Sequence, residues 1–224
     1  MKKMIVSVLA LAVVVFVAVI GSAQQAPPVP FAERHVKFEN GVIGRPLSFE
    51  SANPRNFEEI IGKAVLRPVK LDGQLFVPTG AGSHGVVILV PGSRGVIADY
   101  LKHAQELTSV GLAVYALDPL AGRGIKDIVS DKAGLSMAAS AYDVLAAARM
   151  LVTQPSIDRQ RIGAMGYSRG GSAVLLASYH QMTSAVLGDT VSLKAVLAAC
   201  PTCAYQSDLN RLPARYDGWM HIVF

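Results

Sequence analysis

Hydrophobic and polar positions along the chain change their period near residue 80. Before that point, short alternating stretches at residues 46–51 and 69–79 predict an antiparallel pair of strands that leads into a sheet. After it, continuous apolar runs alternate with residues at helical spacing. The runs at residues 84–92, 112–117, 161–167 and 193–199 predict strands buried on both faces. Apolar residues that recur three and four positions apart predict helices at residues 97–111, 141–151 and 172–184.

This alternation of strand and helix is typical of a parallel sheet with helices packed on each side. The predicted fold class is therefore α/β: a doubly wound, mostly parallel sheet with helices on both faces, in one domain over residues 45–224. A further strand is predicted at residues 219–224, where the chain reads Trp-Met-His-Ile-Val-Phe.

The first 23 residues have the layout of a secretory signal peptide. Lys2 and Lys3 precede an uninterrupted apolar run, and Gly21-Ser22-Ala23 supplies the small residues of a cleavage site. The alternative is an uncleaved membrane anchor, although the run is short for a bilayer core of about 30 Å. We expect cleavage after Ala23, a periplasmic or secreted location, and no membrane association afterwards. Residues 24–44, which begin with a proline-rich stretch, are predicted to be a linker and N-terminal extension.

Charge and cysteine content exclude some classes of partner. The formal charge is +5 with scattered basic residues, so no nucleic-acid partner is expected. Cys200 and Cys203 form a Cys-x-x-Cys pair, which is compatible with a disulfide, a redox pair or two cysteines at the end of a strand. A structural zinc site needs four ligands, and no second ligand pair is present, so no metal is expected.

The chemical motif of the chain is Gly166-Tyr-Ser168-Arg169-Gly170, which fits G-x-S-x-G between a predicted strand and a predicted helix. In that context the serine occupies a sharp turn above the carboxyl edge of the sheet, and the glycines leave room for the turn. Ser168 is the predicted nucleophile, and the backbone N–H of Arg169 is a predicted oxyanion donor at the helix N-terminus. The alternative is a glycine-rich turn with an incidental serine.

A second oxyanion donor is expected from the loop after the first central strand. That loop is Pro91-Gly-Ser93-Arg94-Gly95, and we assign the donor to the backbone N–H of Ser93, with Arg94 as a nearby alternative. An ordinary strand-to-helix turn has similar glycines. No phosphate-binding glycine motif is present, so no nucleotide cofactor is expected.

These residues resemble the dienelactone hydrolase family of the α/β-hydrolase superfamily over roughly residues 47–203. The resemblance rests on four segments: residues 73–78, 86–95, 118–124 and 161–171. It implies a serine hydrolase without cofactor that cleaves a carboxylic ester or lactone of a small molecule through an acyl-enzyme on Ser168. It also implies a structural role for Asp118 near Arg123. Pro91 departs from the family pattern, because many members have histidine there.

The acid and base of a catalytic triad complete this assignment. A serine needs a histidine held by an acid, and in this fold both follow the nucleophile in chain order. We expect them beyond Phe224, with the sheet lacking its last strand or strands. A compact triad of Asp208, Asp217 and His221 is the alternative.

Two functions therefore remain open from the sequence. The first is a serine ester hydrolase, related to carboxylesterases and lactonases, whose catalysis is impaired in this chain; a small peptidase would look the same. The second is a non-catalytic exported protein that keeps the hydrolase pocket and binds its ligand. Arg94, Arg123 and Arg169 suggest a substrate carboxylate if they face one cleft. They suggest nothing if they face solvent or pair with acids.

Overall fold

The computed structural model describes residues 29–130, 134–202 and 216–223. The predicted signal peptide, Cys203 and Asp208 lie outside the described residues. The described strands are β1 (Arg45–Ala52), β2 (Pro68–Phe76), β3 (His84–Val90), β4 (Ala113–Asp118), β5 (Ile157–Tyr167), β6 (Ala195–Ala199) and β7 (Trp219–Val223). The described α-helices are α1 (Phe57–Ile61), α2 (Ala98–Ser109), α3 (Met137–Leu151), α4 (Arg169–Ala177) and α5 (His180–Leu187).

The strands form one seven-stranded sheet in the order β1-β2-β4-β3-β5-β6-β7. β1 pairs antiparallel with β2, and β2 pairs antiparallel with β4. The strands from β4 through β3, β5 and β6 to β7 are parallel. The predicted antiparallel entry and the mostly parallel sheet are both confirmed. Because the parallel strands run the same way, the ends of β3, β4, β5 and β6 meet at one carboxyl edge, where open α/β folds bind ligands.

Helices cover both faces of the sheet, as the alternation predicted. Side chains of α1, α3, α4 and α5 pack with one face of the sheet, where Ile88 and Tyr115 are fully buried. Side chains of α2 pack with the opposite face around Leu89 and Val114. Neighbouring strand residues point to opposite faces, so each central strand contributes to both cores.

The predicted helix over residues 172–184 is two helices instead. Tyr179 adopts an extended conformation, with φ −65° and ψ 123°, between α4 and α5. The Ser178 hydroxyl donates to the Leu175 carbonyl at 2.7 Å, and the Thr183 hydroxyl donates to the Ala177 carbonyl at 3.0 Å. These hydroxyls satisfy carbonyls that would otherwise lack partners at the end of α4, which stabilises the break.

The stretch that we predicted as an N-terminal extension packs on the sheet over its described part. Phe31 and Phe38 are buried, and the rings of Phe38 and Phe76 stack with centroids 4.4 Å apart. The Gln74 side-chain amide donates to the carbonyls of Phe31 and Arg34. These contacts join the segment to the same core as α2.

Candidate active site

Ser168 occupies the turn between β5 and α4 at the carboxyl edge of the sheet. Its backbone has φ +51° and ψ −117°, a conformation that residues other than glycine rarely adopt. Its N–H donates to the Ala199 carbonyl at 2.8 Å, and its carbonyl accepts from the Ser172 N–H at 3.0 Å. Strand pairing on one side and helix hydrogen bonding on the other therefore hold the strained residue, and the residue is exposed.

The glycines of the motif are required by close backbone contacts. A Cβ on Gly166 would collide with the backbone of Gly170, and a Cβ on Gly170 would collide with the carbonyl oxygens of Val90 and Pro91. Backbone atoms cannot rotate away as a side chain can. The end of β3, the end of β5 and the start of α4 thus approach one another only because these positions lack side chains.

The loop after β3 lies beside the nucleophile. A Cβ on Gly92 would be 3.6 Å from Ser168 Cβ, so the loop and the serine are direct neighbours. Ser93 follows in a turn that the Gly95 N–H closes on the Gly92 carbonyl at 3.1 Å, and the Ser93 carbonyl accepts from the Ile128 N–H at 2.7 Å. The structure therefore places Ser93, the predicted second donor, in a fixed turn next to Ser168.

Arg169 is the first residue of α4, where backbone N–H groups have no acceptor within the helix. Its side chain turns toward α3: Nη2 donates to the Leu135 carbonyl and to the Ser140 hydroxyl, the latter at 3.3 Å. The side chain thus ties the start of α4 to the start of α3, while the backbone stays at the turn with Ser168.

Between the loop after β4 and α3 lies a buried ion pair whose acid the sequence analysis missed. Arg123 Nη1 donates to Asp143 Oδ2 at 2.8 Å, and the Ser51 hydroxyl donates to Asp143 Oδ1 at 2.5 Å. Complete burial raises the pKa of Asp143, and the Arg123 guanidinium opposes that rise. The available signal was an acid in a helix that is apolar on nearly every side. Asp118 does not belong to this ion pair. Its carboxylate accepts the Leu120 and Ala121 N–H groups in the turn that leads to Arg123.

The three arginines considered for a substrate carboxylate have different environments. Arg123 pairs with Asp143, and Arg169 bonds to α3, so both guanidinium groups are engaged by the protein. Arg94 is exposed in the loop next to Ser93. Of these three arginines, Arg94 is therefore the one whose side chain is exposed near the site.

No described histidine is hydrogen-bonded to Ser168. His103 Nδ1 lies 3.2 Å from Glu106, and His84 Nδ1 lies 3.2 Å from the Gly111 carbonyl. His180 Nδ1 lies 3.1 Å from Asp217. Asp217 precedes β7 and so lies at the amino ends of the parallel strands, whereas Ser168 lies at their carboxyl ends. His221 is exposed in the middle of β7. The described part of the compact triad is thus not assembled, because Asp217 pairs with His180.

Among the described residues, no group of three acid, histidine or cysteine side chains has the arrangement of a metal site. Nor does any helix in the described ranges combine the length and the apolarity of a bilayer span. A small crevice lies between the loop after β3, the loop after β4 and α4, and it is lined in part by Arg169 and Gly170, which follow Ser168. Its walls are mostly apolar and include Pro91, Leu120, Leu135 and Ala173.

Residues 103–201 match the prolyl oligopeptidase family, which is less than half of the chain. No curated protein sequence matches the chain significantly. Several solved structures are similar. One, titled m3DLH, has 20% identity and TM-score 0.50, with 79% of this chain covered and 68% of that one. Acetyl xylan esterase 1 from Thermoanaerobacterium sp. JW/SL YS485 has 16% identity and TM-score 0.52, with coverages of 78% and 53%. A putative dienelactone hydrolase from Klebsiella pneumoniae subsp. pneumoniae has 19% identity and TM-score 0.48, with coverages of 70% and 60%.

These similarities, together with the strand order, show that the chain has the α/β-hydrolase fold. They confirm the predicted α/β-hydrolase fold class. The chain spans between 53% and 68% of the lengths of these three proteins. Its own reaction and substrate are therefore matters for proposal.

Proposed function

We propose that this protein is a serine hydrolase of dienelactone hydrolase type, which cleaves a carboxylic ester or lactone through an acyl-enzyme on Ser168. The observation that carries the proposal is the strained, exposed backbone of Ser168 at the start of α4, with φ +51°. Strain of about 1–3 kcal/mol persists only where the surrounding structure imposes it, and such residues cluster at active sites.

In the proposed reaction, Ser168 Oγ attacks the carbonyl carbon, and the carbonyl oxygen becomes an oxyanion. The backbone N–H groups of Ser93 and Arg169 are the proposed donors, since one lies in the neighbouring loop and the other begins α4. The bond from the carbonyl carbon to the alcohol oxygen then breaks, and this oxygen takes up the proton that Ser168 Oγ has lost; the alcohol departs from an ester and stays tethered to the acyl group in a lactone. Water then cleaves the acyl-enzyme, which releases the acid and returns a proton to Ser168 Oγ. The exposed Arg94 is the proposed contact for a substrate that carries a carboxylate.

We expect the 224-residue chain to turn over esters very slowly, at the residual rate that oxyanion donors support without a base. Histidine normally removes the serine proton, and no described histidine is hydrogen-bonded to Ser168. This observation also favours a second candidate, a non-catalytic protein that binds an acyl compound in the same cleft. The match to the prolyl oligopeptidase family keeps peptide bonds among the possible substrates.

A fluorophosphonate probe separates these candidates. Prolonged incubation with excess probe should label Ser168, as peptide mass spectrometry would show, and the Ser168→Ala variant should lose the label. Ser184→Ala, on α5, is the matched control and should label like the unmodified chain. A folded protein that takes no label at Ser168 would contradict the hydrolase proposal and favour the binding protein. Fast turnover of a nitrophenyl ester would contradict the expected impairment.

We also propose that the protein is exported. Mass spectrometry of the protein from the periplasm or the medium should find Gln24 as its first residue. Material that keeps Lys2 and Lys3 and stays with the membrane fraction would contradict cleavage.

A further inference from the structure

Tyr100, in the first turn of α2, contacts both halves of the proposed site. Its phenol oxygen accepts the Gly92 N–H at 3.0 Å. Its ring packs edge-on against Tyr167, with centroids 6.0 Å apart and an interplanar angle of 62°. Tyr167 directly precedes Ser168, so one side chain joins the loop after β3 to the end of the strand that carries the nucleophile.

The hydrogen bond of Tyr100 lies close to Ser168. A Cβ built on Gly92 would be 2.9 Å from the Tyr100 phenol oxygen and 3.6 Å from Ser168 Cβ. A methyl group at that point would therefore touch both side chains. Without this acceptor, the Gly92 N–H would compete with the Ser93 N–H to donate a hydrogen bond to the oxyanion beside the nucleophile.

The same turn fixes the direction of the next amide. The Gly92 carbonyl accepts from the Gly95 N–H at 3.1 Å and so faces the inside of the turn. In a trans peptide the N–H points away from the carbonyl of the same plane, so the Ser93 N–H points out of the turn. Within the described residues, the Ser93 N–H makes no hydrogen bond.

We infer that Tyr100 is a positioning residue that determines which amide of this loop serves an oxyanion. By binding the Gly92 N–H, its phenol oxygen holds the turn in the geometry that presents the Ser93 N–H. This inference rests on the proposed function of Ser168. It adds a residue on α2, eight positions after Gly92, that the sequence motif does not contain.

The test uses the Tyr100→Phe variant, which keeps the ring against Tyr167 and removes the acceptor. Tyr115→Phe is the matched control, because its hydroxyl also binds one backbone group, the Leu47 carbonyl at 2.7 Å, but lies on β4 away from the loop. Two quantities are measured in each full-length protein: the hydrogen-exchange rate of the Gly92 amide by NMR, and the rate of fluorophosphonate labelling at Ser168.

We expect Tyr100→Phe to speed Gly92 exchange about tenfold and to slow Ser168 labelling about tenfold, the effect of one neutral hydrogen bond. Tyr115→Phe should change neither rate by more than about twofold. Unchanged Gly92 exchange in folded Tyr100→Phe would overturn the inference, whatever the labelling rate. Faster exchange with unchanged labelling would overturn it as well. Absence of labelling in the unmodified chain would instead contradict the proposed function. Because the unmodified chain is measured first, this failure is distinguished from a failure of the Tyr100 inference.

Discussion

Arg123 and Asp143 form a buried, bidentate ion pair between the loop after β4 and α3. Nη1 lies 2.8 Å from Oδ2, and Nη2 lies 2.9 Å from Oδ1. The side chain of Arg123 is 5% exposed and that of Asp143 is fully buried. The remaining donors of Arg123 bind Asn53, Pro119 and Ala52. The pair therefore joins the end of β1, the loop after β4 and the middle of α3.

Replacing Asp143 by asparagine should destabilise the protein strongly. The change keeps the shape of the side chain but leaves the buried Arg123 charge without its counterion, which costs about 3–5 kcal/mol. The control is Asp158→Asn, which removes a more exposed pair with Arg161 and should cost less than about 1 kcal/mol. Urea unfolding followed by circular dichroism gives both free energies. Equal losses of unfolding free energy in the two variants would show that the buried pair contributes no more to stability than the exposed pair.

Adding one methyl group at Gly170 should disrupt the turn at Ser168. Its Cβ would meet the carbonyl oxygens of Val90 and Pro91, which belong to the backbone of β3 and the adjoining loop. We expect Gly170→Ala to lose several kcal/mol of stability, as overpacking does, and to lose labelling of Ser168. Gly41→Ala is the control, since its φ of +84° adds strain of about 1–2 kcal/mol but its Cβ would meet no atom within 4 Å. A Gly170→Ala protein with full stability and labelling would contradict the close contact.

The stability of the protein should fall at alkaline pH because of Tyr115. Burial, followed by the charges of Asp72 and Asp118, raises the pKa of this tyrosine above its ordinary value of 10.0. The folded protein then holds the phenolic proton more tightly than the unfolded chain. Its contribution to the free energy of unfolding is complete below pH 10 and decreases as the pH rises, by about 1.4 kcal/mol per pH unit.

Tyr115→Phe tests this dependence. The variant should lose about 1 kcal/mol at neutral pH with the hydrogen bond to Leu47, and its stability should then decline less steeply above pH 10. Tyr167→Phe, with a partly exposed ring, should keep the slope of the unmodified protein. Parallel urea midpoints for all three proteins between pH 9 and 11 would refute the role of Tyr115.

Strand β7 should promote self-association. It lies at the edge of the described sheet, and apolar side chains are exposed on both of its faces, with Trp219 86% and Ile222 40% exposed. An apolar edge strand is a template for pairing with another chain, and a charge on it blocks that pairing. Ile222→Lys should therefore reduce the sedimentation coefficient of associated protein toward that of a monomer. Val65→Lys, at an exposed position outside the sheet, should not.

The fluorescence of Trp219 provides a second measurement, because it is the sole tryptophan of the chain. Its emission should shift to shorter wavelength as the protein concentration rises and association covers the ring. Ile222→Lys should keep the long-wavelength emission at every concentration. Emission that is independent of concentration in the unmodified protein would contradict association through β7.

Most of the fold could be predicted because its signals are local. The runs that became β3 and β4 are continuous and apolar, and that pattern requires burial on both faces wherever the strand is placed. The G-x-S-x-G motif gave the turn at Ser168 because few backbone geometries need glycine at both flanks. The break at Tyr179 was not predicted, since the hydroxyls of Ser178 and Thr183 stabilise it only after α4 and α5 have packed.

By itself the sequence determined the alternation of strand and helix, the tight turn at Ser168 and the loop that faces it. Each of these depends on the backbone preferences and the hydrophobicity of residues close together in the chain. Only the tertiary structure decided that Tyr100 binds Gly92 and that Asp143 neutralises Arg123. The members of each pair are 8 and 20 positions apart and belong to different elements. Whether their polar atoms meet therefore depends on how the sheet brings those elements together.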